Sequence, residues 1–316
     1  MTTTDGPTRP AISVVVPTHN RSALVAQTLE SILAQRDVDV QLIVVDDAST
    51  DDTRQVLEQY PAVQVVHQPY AMEQRRARNE GAQLASQPWI AFCDDDDLWS
   101  PVKLSRQVDA LMRTTAEWCT CSSLSVDEHL NPVGGQRLRH SDTVRHLITK
   151  QNVVPGGGSG VVMSTAAFRD VGGFREDAKF VEDWDLWIRL SKRGDPVCVD
   201  ELLLAQRQWA KSYSHQAFNE QFEAFADVVR RYAADTDHAK PRHLGDFEVR
   251  RRLLSEKRVA IVRDLPRILR NAPEDRIPVL AMMLVPDRVR RPLGMRQLGR
   301  EDVRAAVKWL ATFGKE

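Results

Sequence analysis

The sequence predicts an α/β fold built on a parallel, right-handed sheet, and three observations carry that prediction. Four short apolar runs alternate with helix-like segments over residues 11–92. Three of those runs end in a polar cluster: Thr18-His19-Asn20-Arg21, Asp46-Asp47 and Asp94 to Asp97. Strand, helix, strand repeated in this way implies crossover connections and a sheet covered on both faces. Ligands of such sheets bind beyond the carboxyl ends of the strands, where these polar clusters lie.

Taken in order, Ala11 to Val16 is a β-branched strand stopped by Pro17, and Asn20 or Ser22 is placed to cap a helix over about 23–35. Gln41 to Val45 forms a second strand, with Ser49 or Thr50 capping the helix that follows to about Tyr60. Val63 to His67 leads into a helix over about 72–86. The fourth strand, Trp89 to Cys93, runs into four consecutive aspartates, a charge repulsion that packing alone does not require. Hard divalent cations take carboxylate oxygens, so Asp94 to Asp96 read as a metal and nucleotide site. Asp97, with Ser100, is expected to cap the helix over about 101–116.

The pattern then changes. Glu117 to Val126 alternates as a strand before an Asn131–Gly135 turn, with a helix over 142–150 and a strand at Val161–Ser164. Pro155-Gly156-Gly157-Gly158-Ser159-Gly160 fits either close backbone approach to a ligand or a flexible loop. Gly172-Gly173-Phe174 is a structural turn. In the helix from Val181, Glu182, Asp185, Arg189 and Lys192 share a polar arc, while Asp183 falls among Trp184, Trp187 and Leu190. A carboxylate on a buried arc needs helix N–H groups, a cation or a function, and a functional role is expected for Asp183. Asp185 and Arg189 make an i,i+4 surface pair. From Glu201 onward the chain reads as mostly helical, cut by prolines after residue 236.

Composition bounds the rest. The 316 residues are 42% hydrophobic, enough for one large domain with an appendage. Met1 to Pro10 lacks the apolar core of a secretory leader, and the longest apolar run, Ile277–Val285, falls short of the ~20 residues that span a bilayer. Cys93, Cys119, Cys121 and Cys198 have no zinc spacing and are expected to be reduced in a cytoplasmic chain. Residues 1–235 hold 24 Lys and Arg against 33 Asp and Glu, whereas 236–316 hold 19 against 11. A basic tail with Arg288, Arg290 and Arg291 beside an apolar run suits peripheral contact with the inner face of a membrane, or packing as a homo-oligomer interface. No nucleic-acid recognition motif is present.

With those residues placed, the chain resembles the inverting glycosyltransferases of family 2, which have the GT-A fold. The resemblance covers residues 11–215 and rests on Val-Val-Val-Pro-Thr-His-Asn-Arg (14–21), Val-Val-Asp-Asp-Ala-Ser-Thr-Asp-Asp-Thr (44–53), Ala-Arg-Asn (77–79), Phe-Cys-Asp-Asp-Asp-Asp-Leu-Trp (92–99), Gly-Gly-Phe (172–174) and Glu-Asp-Trp-Asp-Leu-Trp (182–187). It implies a GT-A domain with a Rossmann-like, mainly parallel sheet over 11–215 and a helical, basic extension over 216–316. It also implies a nucleotide-sugar donor, UDP-linked, contacted by Pro17, Thr18, Asn20, Arg21, Asp47, Arg78 and Asp94 or Asp95. Asp96 would hold Mg2+ or Mn2+, and Asp183, beside Glu182, would be the catalytic base. Arg207, Ser212 and Ser214 fall where the family has a donor-covering loop. The acceptor stays open among glycans, lipid-linked sugars, natural products and peptides. His19 and His67 are expected to be polar surface. A nucleotidyltransferase would also place acidic residues on such a sheet, but it would need a Gly-rich basic loop where Pro-Thr-His-Asn-Arg stands. A non-catalytic nucleotide-sugar binder would have no need of Glu182-Asp183.

Overall fold

The computed structural model describes residues 9–208 apart from Arg139 and Lys150, seven positions between Ala224 and Tyr232, and residues 298–313. The order is β1 (Ala11–Thr18), α1 (Ser22–Leu33), β2 (Asp39–Asp46), α2 (Thr53–Leu57), β3 (Gln64–His67), α3 (Gln74–Gln83), β4 (Trp89–Phe92), β5 (Leu98–Trp99) and α4 (Lys103–Met112). There follow β6 (Trp118–Val126), β7 (Pro132–Gln136), α5 (Ser141–Leu147), a 3-10 turn (Gly157–Gly160), β8 (Val161–Ser164), α6 (Thr165–Asp170), α7 (Glu182–Ser191) and β9 (Val197–Arg207). Helix α8 (Arg300–Leu310) completes the described elements.

One sheet runs β3-β2-β1-β4-β8-β6-β9-β5, with β7 paired to β6. The first four strands are parallel, as the alternating pattern predicts. Beyond β4 the sheet is mixed: β8 lies antiparallel to β4 and β6, while β9 is parallel to β6 and antiparallel to β5. Strands buried on both faces read as unbroken apolar runs, and alternation along β1 divides the core. Val14 and Val16 pack with α1 and α4, whereas Val15 faces Phe92, Phe168 and the tryptophans of α7. A third cluster joins Leu124, Val126 and Leu202 to Leu298, Ala306 and Leu310, which docks α8 on the far edge. Arg137 fastens that contact by bridging Asp200 (2.7 Å) and Asp302 (2.6 Å).

Several local expectations are corrected. Residues 197–207 are a long strand and not the start of a helical region, because Leu202 to Ala205 are buried against β6 and β5. Asn131–Gly135 is not the turn itself; Asp127 closes the turn by accepting the His129 and Asn131 amides, and 132–136 pair with β6. None of Asn20, Ser22, Ser49, Thr50, Asp97 or Ser100 caps a helix through its side chain. Asn20 instead has φ 54 and accepts the Thr50 amide at 2.7 Å, while Ser49 accepts the Asn20 amide at 2.9 Å. The two loops beyond β1 and β2 are thereby tied together. Asp185 is not a surface residue: it is fully buried, and its partners include residues far along the chain. All four cysteines are free. Among the described residues no helix is long and apolar enough to cross a membrane. Ser212, Ser214, the 277–285 run and Arg288, Arg290 and Arg291 lie outside the described residues.

Close approach of α3 to β1 depends on Gly81. A Cβ there would stand 2.4 Å from Val15 Cγ1 and 3.1 Å from Val45 Cγ2. Overpacking of this kind costs about 1–3 kcal/mol, so Gly81→Ala should lower the melting temperature by several degrees, measured by calorimetry. An unchanged melting temperature would show that the helix can shift freely off the sheet.

Candidate active site

The carboxyl ends of β1, β2 and β4 open onto a cavity of about 550 Å³. Its walls include Pro17, Thr18, His19 and Arg21 after β1, Asp47 after β2, and Asp94, Asp95 and Asp96 after β4. Glu182, the first residue of α7, closes the far side. Parallel strands thus bring together residues up to 165 positions apart that the sequence marks as three separate clusters and one helix start.

Asp47 is buried and accepts the Met72 and Glu73 amides at 2.6 and 3.0 Å, which fixes the loop before α3 against the cavity. His19 donates from Nδ1 to the Asp47 carbonyl at 2.6 Å, so it braces the loop as well as lining the wall. His67 pairs with Asp46 at 2.8 Å outside the cavity; against burial, hydrogen bonding from Ser49 and then from His67 holds the Asp46 carboxyl below its ordinary value.

Arg78 is the centre of the charge arrangement. Its side chain is 4% exposed, and it donates to Asp94 at 2.5 Å and to Glu182 at 3.2 Å. The guanidinium also lies 5.3 Å from the centroid of Phe174, whose backbone N–H is fixed by Asn79 Oδ1 at 2.9 Å. The Ala77-Arg78-Asn79 signature therefore serves two ends: Arg78 holds carboxylates, and Asn79 holds the Gly-Gly-Phe turn.

The four aspartates after β4 have different surroundings. Asp94 accepts from Arg78 and from Gln74 Nε2, while its own amide donates to Ser159 Oγ at 3.0 Å. Asp95 accepts the His19 amide at 3.4 Å and lies 3.6 Å from Arg21 Nε. Burial, then the neighbouring Asp96 charge, pushes the Asp95 carboxyl up to about 7, against the pull of Arg21. The Asp96 carbonyl accepts from Arg207 Nε at 3.1 Å, and the same guanidinium reaches Gln27. Asp97 turns into the protein; burial and the charges of Asp96 and Asp94 raise its carboxyl well above the ordinary range.

Asp183 stands beside Glu182 in the first turn of α7. It is not the cap, since Val181 occupies that position; its Oδ1 accepts the Trp184 amide at 2.6 Å. Burial and the Glu182 charge push the Asp183 carboxyl up to about 6, with Arg78 and the Trp184 amide opposing. The glycine run explains how it fits: Gly157 has φ 51, and a Cβ there would stand 3.1 Å from Asp183 Oδ2. Gly156 has φ 76 and no room for a side chain beside Leu204. Close backbone approach, not looseness, is what these glycines provide.

The remaining lining residues are Ala71, Glu73, Lys179 and Phe180, in segments without periodicity, and Gln74 and Arg75, in the first turn of α3; no motif marks any of them in the sequence. They converge through ion pairs. Glu73 holds Arg75 and lies 3.7 Å from Lys179, Arg75 donates to the Glu176 carbonyl, and Arg76 pairs with Glu176 at 2.7 Å. Glu73 and Phe180 both have positive φ, 74 and 69, which non-glycine residues adopt only under constraint. Asn20 does not line the cavity; it positions the loops that do.

Among the described residues no three carboxylate, imidazole or thiolate groups converge into a self-contained metal cage. One aspartate with substrate phosphate oxygens and waters is, however, the usual donor set for Mg2+, and the acidic run fits a site completed by its ligand.

A family model described as glycosyl transferase family 2 matches residues 13–172. The chain belongs to that family. TuaG of Bacillus subtilis, named for a glycosyltransferase role in teichuronic acid biosynthesis, is 35% identical over 108 residues, or 33% of this chain and 43% of that protein. The chain thus aligns with less than half of that relative's length. Staphylococcus aureus TarS 1–349 in complex with UDP-GlcNAc superposes with a TM-score of 0.58 at 19% identity, covering 88% of this chain and 82% of that one. A mannosyltransferase of Pyrobaculum calidifontis, solved with GDP-Man and Mn2+, gives 0.55 at 17% identity over 98% and 86%. The fold is GT-A, and family membership accounts for the order of the motifs around the cavity.

The two ion pairs of Arg78 generate a stability prediction. Removing one partner of a buried charge cluster leaves the others uncompensated. Arg78→Met should cost about 3 kcal/mol in chemical denaturation at neutral pH, the low end for buried pairs because Asp94 and Glu182 keep some contact with water. A loss below about 1 kcal/mol would show that the contacts are incidental.

Proposed function

We propose that this chain transfers a sugar from a nucleoside diphosphate donor, UDP-linked, to a nucleophile on an acceptor, with inversion at the anomeric carbon. The observation that carries this is the placing of Asp47, Asp94, Asp95 and Asp96 on one side of a single cavity and Glu182, next to Asp183, on the other. Displacement needs a stabilised leaving diphosphate and a base at the opposite face of the sugar.

In this scheme Asp47, with the loop it holds, receives the nucleoside, and Asp94 or Asp95 receives the ribose. Arg78 is not among the residues lining the cavity, and in this scheme it would act on the diphosphate end through Asp94 and Glu182, which it holds from behind. Asp96 would hold Mg2+ or Mn2+, which when bound supplies Lewis-acid neutralisation of the leaving diphosphate. Asp183 takes the proton from the attacking group; its raised affinity for protons, set by burial and by Glu182, suits a base working near neutrality. The donor complexes of the two GT-A structures support the class of ligand, and the Mn2+ of one supports the class of metal. A cytoplasmic, nucleotide-supplied setting follows from the donor.

Three outcomes are expected. UDP should bind tightly only with Mn2+ or Mg2+, and Asp96→Asn should abolish that dependence; equal affinity in EDTA by calorimetric titration sinks the metal role. Asp183→Asn should leave UDP affinity nearly intact and lower turnover by roughly two to four orders of magnitude. Turnover of the intact enzyme should rise with pH through about 6 and then level, because only the Asp183 carboxylate can accept a proton. The stability sign is opposite. A carboxyl whose folded value lies above its ordinary one favours folding at low pH, and that contribution is lost as pH rises through about 6. A rate flat from pH 5 to 8 would rule Asp183 out as the base.

A further inference from the structure

The helix that carries Glu182 and Asp183 is held from behind by a part of the chain that the motifs do not include. Asp185 has no solvent exposure, and a buried carboxylate is costly unless paired and fully hydrogen-bonded. It has three donors. Arg189 Nε lies 2.8 Å from one oxygen, while Tyr232 Oη and Arg231 Nη1 lie 2.7 and 3.2 Å from the other. Two of the three therefore come from residues 46 and 47 positions later in the chain.

Both arginines also reach a second element of the site. Arg231 donates from Nη2 to Asp177 at 2.9 Å, in the segment that supplies Lys179 and Phe180 to the cavity wall. Arg189 donates to the carbonyls of Val171 (2.6 Å) and Gly173 (2.7 Å), in the turn leading to Phe174 beneath Arg78. Apolar contacts extend the same docking. Phe225 lies 4.7 Å from Trp184, the neighbour of Asp183, and Val228 is buried in the core cluster of α7.

We infer that the helical positions between Ala224 and Tyr232 form a strut, clasped on Asp185, that sets the position of the first turn of α7 and of the 175–180 wall. Tyr232 and Arg231 are positioning residues: they touch neither the cavity nor any reacting atom. This rests on the assignment of Asp183 as base, and it deepens that assignment by tying the base's placement to a segment outside the family match at 13–172. A base displaced by a fraction of an ångström loses alignment with the attacking group while the donor cradle on β1, β2 and β4 stays intact.

The test uses the full chain with Tyr232→Phe, which keeps the ring and removes only the hydroxyl, and Arg231→Gln as a second variant. Hydrogen–deuterium exchange over residues 175–191 should rise in both variants while β1 and β2 stay unchanged. Transfer or donor hydrolysis should fall roughly ten- to a hundredfold in kcat, with the donor KM and UDP affinity within about twofold of the parent. Arg231→Lys, which keeps the charge near Asp185, should recover part of kcat. Faster exchange with unchanged kcat would make the strut merely structural and overturn the inference, as would unchanged exchange, or equal losses in kcat and UDP affinity. Failure of the base assignment would look different, since Asp183→Asn would then stay active whatever the exchange data show.

Discussion

The structure depends on one shared cation. Arg78 projects from α3, which packs on β1 through Gly81, and meets a carboxylate from each side of the cavity: Asp94 beyond β4 and Glu182 at the start of α7. Without that guanidinium, two acidic segments would face each other across a poorly solvated gap. With it, the parallel half of the sheet and the helix carrying Asp183 are held together by charge and by packing. The Phe174 ring beneath Arg78 and the Asn79 contacts to the Gly-Gly-Phe turn extend the same junction.

That junction explains why the site has two kinds of wall. The wall from β1, β2 and β4 is built on strands buried on both faces, and the loops beyond them are tied to one another by Asn20, Ser49 and Asp51. Asp51 accepts the Thr53 amide and hydroxyl and the Ser22 amide, contacts that hold its carboxyl down at about 2 although what burial it has pushes the other way. The opposite wall consists of Glu73 with the first turn of α3 and the irregular segment 175–180, joined by ion pairs that are partly exposed and individually weak. Sites that bind and release a ligand draw their moving parts from such low-stability segments. The constrained backbone at Glu73 and Phe180 lies in this second wall.

How much of this was legible in the sequence follows from the kind of order involved. The first four strands and their helices were readable, because buried parallel strands leave continuous apolar runs and each crossover helix leaves a 3.6-residue period. The acidic run and Glu182-Asp183 were readable because charge at a strand end or on an apolar arc conflicts with packing. What failed to show was long-range pairing. Val197–Arg207 lacks a clean alternation, since its first half is partly exposed and most of its second half is buried, so from Glu201 its sequence resembles the start of a helical region. Asp185 looked like half of an i,i+4 surface pair because nothing local signals that Tyr232 and Arg231 return to cover it. The helix caps differ from expectation for a related reason: Asn20 and Ser49 make loop-to-loop contacts, which only the folded arrangement of β1 and β2 creates.

The acidic run shows how a fold gives different properties to identical residues. Successive side chains diverge at the end of β4, so Asp94 and Asp95 reach separate arginines, on α3 and on the loop after β1. Asp97 turns inward towards the region of Lys103, itself fully buried and lying over the Trp99 ring at 3.9 Å. Burial lowers the proton affinity of that lysine and raises that of Asp97, disfavouring the charged form of each. Asp96 is left among carboxylates on either side, with Arg207 bound at its carbonyl. Asp94, Asp95 and Asp96 all line the cavity, and Arg21 lines it beside Asp95. In the proposed scheme Asp96 would hold a small, hard cation there, with the oxygens of the donor's diphosphate completing its ligands.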